Sequence, residues 1–189
     1  MLYIIRHGQT AMNRLQVLQG RSDHPLNEAG VAQARRAAEL LRSRGVRFDA
    51  VFTSPLVRSV QTARILAPEV APTVDERLTE MDYGPWEGAD LRAPSPELAA
   101  FFADFVHNPA PEGMEPLDEV VARARAFLED VGGVAGNLLV STHAIAMKGL
   151  LEALTPGARG SWWSKTIANC EVYAVPRVGR GFGTPRPFQ

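Results

Sequence analysis

At 189 residues the chain has the length of one domain, enough to bury a core without disulfides or structural metals. Its charges nearly cancel, to a formal net charge of −1, so electrostatics gives no reason to expect nucleic acid or an anionic membrane as partner. The single cysteine, Cys170, excludes an internal disulfide, and no apolar run approaches the roughly 18 residues of a membrane span. The start, Met1 to Arg6, is too short an apolar stretch for a signal-peptide core, and the expectation is a soluble, cytoplasmic single domain.

The apolar run Leu2 to Ile5 reads as a buried strand that ends in a loop at Arg6-His7-Gly8. Asn27 is placed as the N-cap of a helix, with Glu28 in its first turn and Val31, Ala34, Ala38 and Leu41 at helical spacing until Gly45 stops it. Asp49 to Thr53 reads as a second strand, and a helix follows from about Leu56 to Leu66, before Pro68. The stretch 72–116 is proline-rich and irregular, with one helical patch from Leu98 to Val106, and reads as an insert covering one edge of the domain. Helical spacing returns from Val120 to Val131, a strand is expected at Asn137 to Ser141, a helix through Met147, Leu150, Leu151 and Leu154, and a last strand at Cys170 to Val175. Residues 1–175 thus read as one domain, while Gly, Pro and Arg dominate 176–189, which predicts a poorly ordered tail. Alternating strands and helices predict a three-layer α/β/α sandwich on a mostly parallel sheet, with the insert over the carboxyl edge of its strands.

Ligands of such sheets bind beyond the carboxyl ends of the strands. Four polar stretches fall there: Arg6-His7-Gly8, Ser54 to Arg58, Glu80 and Thr142-His143. A parallel sheet would bring two histidines, two arginines and a carboxylate to one cleft, a mixture suited to phosphate. Guanidinium forks match phosphate oxygens, backbone N–H groups near Gly8 and after His143 would add an anion nest, and an imidazole can attack phosphorus. The carboxyl of Glu80 could protonate a leaving oxygen, and Asp82 and Glu87 lie in reach of the same cleft. His24 and His107 lie in polar or proline-flanked segments and read as solvated, while Trp162 and Trp163 read as closing a core edge.

Arg6-His7-Gly8-Gln9-Thr10 within residues 2–13 resembles the signature of the histidine phosphatase, or phosphoglycerate mutase-like, superfamily. Gln19 to Gly30, Thr53 to Ala63, Leu78 to Gly88, Ser141 to Ala144 and Asn169-Cys170 resemble its further motifs, in the family's order. The resemblance implies a phosphomonoester hydrolase acting through a phosphohistidine on a small phosphorylated metabolite, without metal or organic cofactor. It implies His7 as nucleophile, Arg6, Arg58 and His143 as phosphate pocket and Glu80 as proton donor. Asn13, Gln19, Gly20, Tyr83 and Ala144 are implied as phosphate or substrate contacts. A homodimer through an edge strand or the insert is compatible with the sequence.

Two departures bear on activity. The chain has Thr142-His143-Ala144-Ile145 where many members have Ser-His-Gly-Gly, and Arg92 is the only cation between Arg77 and Arg123. The mutase branch uses a longer, more basic insert, so hydrolysis is favoured over phosphoglycerate mutase activity. A phospho-ligand-binding protein on an inactive scaffold is the third reading. Other chemistries lack their letters: Pro176 stands where a cysteine phosphatase would need arginine, and neither a Gly-x-x-x-x-Gly-Lys loop, a Gly-x-Ser-x-Gly elbow nor a paired-histidine metal motif occurs.

Overall fold

A computed structural model of the chain describes residues 1–157 and 160–189. The central six-stranded sheet has the order β3-β2-β4-β1-β5-β8, from β1 (Leu2–Arg6), β2 (Ala50–Thr53), β3 (Thr73–Val74), β4 (Leu138–Thr142), β5 (Val172–Val175) and β8 (Arg186–Pro187). The first four run parallel to their neighbours; β5 is antiparallel to β1, and β8 to β5. Strand β4 is buried at every position and β1 at all but its last, as strands covered on both faces must be.

The alternation within β1 explains the layers. Leu2 and Ile4 pack with Leu138 and Val140 against helices α5 (Leu117–Val131) and α6 (Ala144–Leu154). Tyr3 and Ile5 face the other way, with Leu139, onto α2 (Glu28–Ser43) and α3 (Val57–Leu66). The short α1 (Ala11–Leu15), which sequence periodicity did not reveal, is closed by a capping box in which Thr10 and Asn13 each accept the other's backbone N–H. Helix α2 begins at the expected cap, where the Asn27 side chain accepts from Gly30 N. None of the helices among the described residues is long and apolar enough to cross a membrane.

Two expectations need correction. The first residues of the 72–116 segment supply the sheet's edge strand β3, so the covering insert begins only after it. The remainder of that segment carries α4 (Pro96–Ala103) and a core of its own, in which Met81, Tyr83, Leu98, Phe101 and Met114 meet Leu18, Ile145 and Trp163. Trp162 is buried in the main core instead, so both tryptophans do close core edges. Residues 176–189, second, are not a loose tail. They form the hairpin β6 (Arg177–Val178) with β7 (Gly181–Phe182), and then β8. Phe188 meets the Tyr3 ring edge-on at 5.6 Å, and Arg177 donates to the carbonyls of Gly132 and Val134. Buried aromatic surface and these ion-strengthened bonds hold a segment whose composition suggests none.

Candidate active site

Parallel pairing puts the carboxyl ends of β1, β2, β3 and β4 on one edge. Arg6 lies opposite Thr142 across the β1–β4 pair, and Thr53 opposite Ser141 across β2–β4. The chain leaves each strand still hydrogen-bonded: His7 N donates to Thr142 O at 2.9 Å and Ser54 N to Ser141 O at 3.3 Å. His7, Arg58, Glu80 and His143 converge there, each almost wholly buried. The loop after His7 can seat against α2 because Gly8 and Gly30 lie back to back; a Cβ on Gly8 would stand 2.5 Å from Gly30 O.

His7 Nδ1 lies 2.7 Å from the carbonyl oxygen of Gly8. A carbonyl only accepts, so Nδ1 carries the proton and Nε2 keeps its lone pair. Among the described residues Nε2 has no hydrogen-bond partner. The Asn169 side chain donates to His7 O at 2.9 Å, steadying the same residue from the loop before β5. Burial, then the charges of Arg6 and Arg58, hold the His7 pKa well below the usual imidazole value.

Arg58, at the start of α3, is fully buried without a carboxylate in contact. Its Nη1 and Nη2 donate to Ser22 O and Gly20 O, each at 2.7 Å, and its Nε to His143 Nδ1 at 3.2 Å. Arg6 Nη1 donates to Ile167 O at 2.5 Å, while its Nε is buried without a partner. Burial lowers both guanidinium pKa values. Gln19 accepts from the Thr10 hydroxyl at 2.7 Å, and its Nε2 is a second buried donor without a partner. Unmatched buried donors are costly; among the described residues there are three, of which Arg6 Nε and Gln19 Nε2 lie in this part of the chain and Arg177 Nε in the C-terminal hairpin.

The His7 and His143 rings meet edge-on, with centroids 5.0 Å apart. His143 Nε2 lies 2.7 Å from Ser54 Oγ, so with Arg58 on Nδ1 both its nitrogens are engaged. The Glu80 carboxylate sits at the N-terminus of α6. Oε1 accepts from Met81 N at 2.9 Å, Ile145 N at 3.1 Å and Ala146 N at 3.0 Å; Oε2 accepts from Ile145 N alone, at 3.2 Å. The anticipated backbone nest is therefore filled from within: Glu80 takes these helix N–H groups, and Gly8 N donates to Thr62 Oγ1.

The neighbouring carboxylates have other tasks. Glu87 accepts from Gly20 N, Arg21 N, Ser22 N and the Ser22 hydroxyl, and so shapes the loop whose carbonyls hold Arg58. Asp82 accepts from Gly84 N within its own turn. Asn13 Oδ1 is held in the α1 cap and approached by Asn169 at 3.4 Å. Tyr83 is buried under the insert, its phenol pushed well above its ordinary pKa by burial and then by Glu80. Ala144 opens α6 beside His143. Cys170, whose thiol burial pushes up to about 12, is no nucleophile at neutral pH. His107 is exposed and paired with Asp104 at 2.6 Å, away from the cluster. Thr62 was not singled out from the sequence, and Ser54, Glu87 and Asn169 were not given the contacts they make here; all four lie within the recognised motifs, which was the available signal.

Fold and site together define a phosphate-handling α/β enzyme with a histidine at the carboxyl edge of its sheet. The chain belongs to the histidine phosphatase superfamily, branch 1, whose model matches residues 2–184. It is 34% identical to a 2,3-bisphosphoglycerate-dependent phosphoglycerate mutase of a Methylobacterium species, over 95% of this chain and 90% of that protein. It superposes on a mycobacterial glucosyl-3-phosphoglycerate phosphatase with a TM-score of 0.80 and 28% identity, covering 98% of this chain and 95% of the other. A phosphoserine phosphatase mutant of Entamoeba histolytica, crystallised with phosphoserine, shares the fold with a TM-score of 0.81 at 22% identity, covering 100% and 94%.

Proposed function

We propose that the chain hydrolyses a small phosphomonoester through a phosphohistidine formed on Nε2 of His7. The observation that carries the reading is the His7–Gly8 bond, which fixes the tautomer so that a lone pair remains near the buried Arg58 and the partly buried Arg6. His7 Nε2 attacks phosphorus as the ester P–O bond breaks, and Glu80 delivers the proton that the leaving oxygen needs. Oε2, with its single backbone bond, is the oxygen placed for that transfer. Water then attacks the phosphohistidine, returning a proton to Glu80 and releasing inorganic phosphate. Arg6 and Arg58 hold the phosphoryl oxygens, with Gln19 Nε2 as a further donor. His143 reaches phosphate only by giving up one of its present partners. Asn13, Gly20, Tyr83 and Ala144 are the contacts proposed for the remainder of the substrate.

The mutase-named relative raises phosphoryl transfer to an acceptor as the second reading. Against it, the insert carries only two arginines, Arg77 and Arg92, with Arg77 bonded to Asp75 and Asp130 and Arg92 to Asp90, so few cations face a sugar-acid carboxylate. The phosphatase name of the solved relative supports hydrolysis. Cytoplasmic residence and a homodimer through a sheet edge complete the reading; the lone thiol supports the first and the exposed Val74 on edge strand β3 the second.

Release of p-nitrophenolate from p-nitrophenyl phosphate, with EDTA present, tests the reading. Turnover that survives the chelator and vanishes in His7→Ala is expected. Turnover that persists in that variant would exclude His7 as nucleophile. Phosphate delivered to a glycerate acceptor instead of to solution would establish the mutase.

A further inference from the structure

The segment that carries Glu80 is gripped on both sides by one ion pair from elsewhere in the chain. Arg123, in the middle of α5, donates from Nη1 to Arg77 O and to Thr79 O, each at 2.7 Å. Its other face binds Glu115 through two bonds, Nε to Oε1 at 2.6 Å and Nη2 to Oε2 at 3.1 Å. Glu115 Oε2 in turn accepts from Asp82 N at 3.0 Å, and Glu115 N donates to Asp82 O at 2.8 Å. Arg77 and Thr79 precede Glu80, and Asp82 comes after it. The Thr142 hydroxyl adds a bond to Leu78 O at 2.7 Å, tying the same segment to the end of β4, next to His143. Both side chains of the pair are largely withdrawn from solvent, at 15% and 9% exposure, so this is not a surface pair of negligible effect.

A carbonyl pair and a carboxylate, presented on either side of one residue, suit a planar guanidinium and do not suit an ammonium. We propose that the Arg123–Glu115 pair positions the Glu80 carboxyl for proton transfer, without itself touching the substrate. The inference rests on the acid role proposed for Glu80. Three backbone groups on residues 77–82 are held by the side chains of the pair and a fourth, Asp82 O, by the Glu115 backbone N–H, and Glu80 is left to set only its own side chain against the N-terminus of α6. General acid catalysis is steep in distance, so a segment loosened by a fraction of an ångström loses proton transfer before it loses binding.

The test compares an alkyl phosphate, whose leaving oxygen needs a proton, with p-nitrophenyl phosphate, whose leaving group does not. In Arg123→Lys and in Glu115→Gln, each first shown to be folded by its thermal transition, kcat for the alkyl ester is expected to fall by ~10- to 100-fold, with KM and p-nitrophenyl phosphate turnover nearly unchanged. Arg123→Met should fall further in the same sense. In a Glu80→Gln background, Arg123→Lys should cost the alkyl ester little more, because the group being positioned is already gone. Equal losses on both esters, or a full additional loss in that background, would overturn the proposal and leave the pair a stabilising feature only. A wild-type protein that turns over neither ester would instead overturn the hydrolase reading, and this proposal with it, before any variant is made.

Discussion

Arg58 fixes the protonation state of His143. Its Nε–H donates to Nδ1 at 3.2 Å, and a guanidinium has no lone pair to offer in return. Nδ1 is therefore bare, the ring proton sits on Nε2, and Ser54 Oγ receives it at 2.7 Å. Adding a second proton would set an imidazolium N–H against a guanidinium deep in the protein.

That arrangement bears on pH. Burial, then Arg58, His7, Arg6 and Arg123, hold the His143 pKa well below its ordinary value, and His7 is lowered by burial and the same two site arginines. Neither ring should titrate near pH 6.5; side-chain NMR of the two imidazoles checks this, and a midpoint near 6.5 for either would contradict it. The linkage has a definite sign. Below about pH 6.5 the unfolded chain binds protons that the folded rings refuse, so stability falls as pH drops through that range and is regained as pH rises.

Removing the carboxyl of Glu80 should separate substrates by leaving group. In Glu80→Gln, alkyl phosphates are expected to lose ~10²- to 10⁴-fold in kcat while p-nitrophenyl phosphate loses far less. A series of aryl and alkyl esters gives the slope of rate against leaving-group pKa. An unaltered slope would remove Glu80 from proton transfer.

Glu87 is expected to act through the loop 20–22. Glu87→Ala strips four donors of their acceptor and frees the carbonyls that orient Arg58, at a cost of about 2 kcal/mol in stability. Because the loosened guanidinium is a binding group, KM should rise with it. Urea unfolding and steady-state kinetics on the one variant measure both, and an unchanged KM would argue that the loop holds its shape without the carboxylate.

Lys148 is buried on α6, where it donates to Trp163 O at 2.8 Å and lies 4.9 Å from the centroid of the Phe105 ring. Burial lowers its pKa to about 8. Between about pH 8 and the ordinary lysine value, the unfolded chain keeps a proton that the folded chain has released, so stability rises with pH across that window. The wild type should therefore gain on Lys148→Met as pH is raised from 8 to 10, by at most about 3 kcal/mol. Parallel unfolding midpoints for the two proteins over that range would show a lysine that titrates normally.

Phe188 tests the closing strand. A residue in a loose tail could be changed at a cost within about 0.5 kcal/mol, whereas Phe188→Ala removes a ring packed against Tyr3 and is expected to cost about 2 kcal/mol. Denaturant unfolding decides between them.

The parallel sheet and the convergence of Arg6, His7 and His143 were legible because each ends or directly follows an apolar run, where strand direction fixes the edge; Arg58 and Glu80 lie further on, in the connections that leave β2 and β3. Helix α2 was legible from Asn27 and the Ala34, Ala38, Leu41 stripe. The parts that escaped reading depend on long-range packing. Strands of two residues, such as β3 and β8, have no period to detect, and α1 is five residues closed by an asparagine where a glutamate or glutamine is the usual sign. Arg123 looks, in sequence, like any polar position of an amphipathic helix. Only folding sets it against Thr79 and Arg77. That Glu80 and Gly8 fill or close the expected anion nest likewise depends on side chains distant in sequence, Thr62 among them.

Strand β1 pairs on one side with β4 and on the other with β5, Leu2 meeting Leu138 and Val175. Its two lateral edges thus wait for chain that the ribosome has still to make, for on the order of ten seconds at ordinary elongation rates. During that wait Leu2 to Ile5 is an apolar strand with both edges open, the kind of segment that chaperones shield and that other chains can capture. The same delay means that His7 meets His143 only after β4 has been made, so a fragment released before then carries the first histidine without the second.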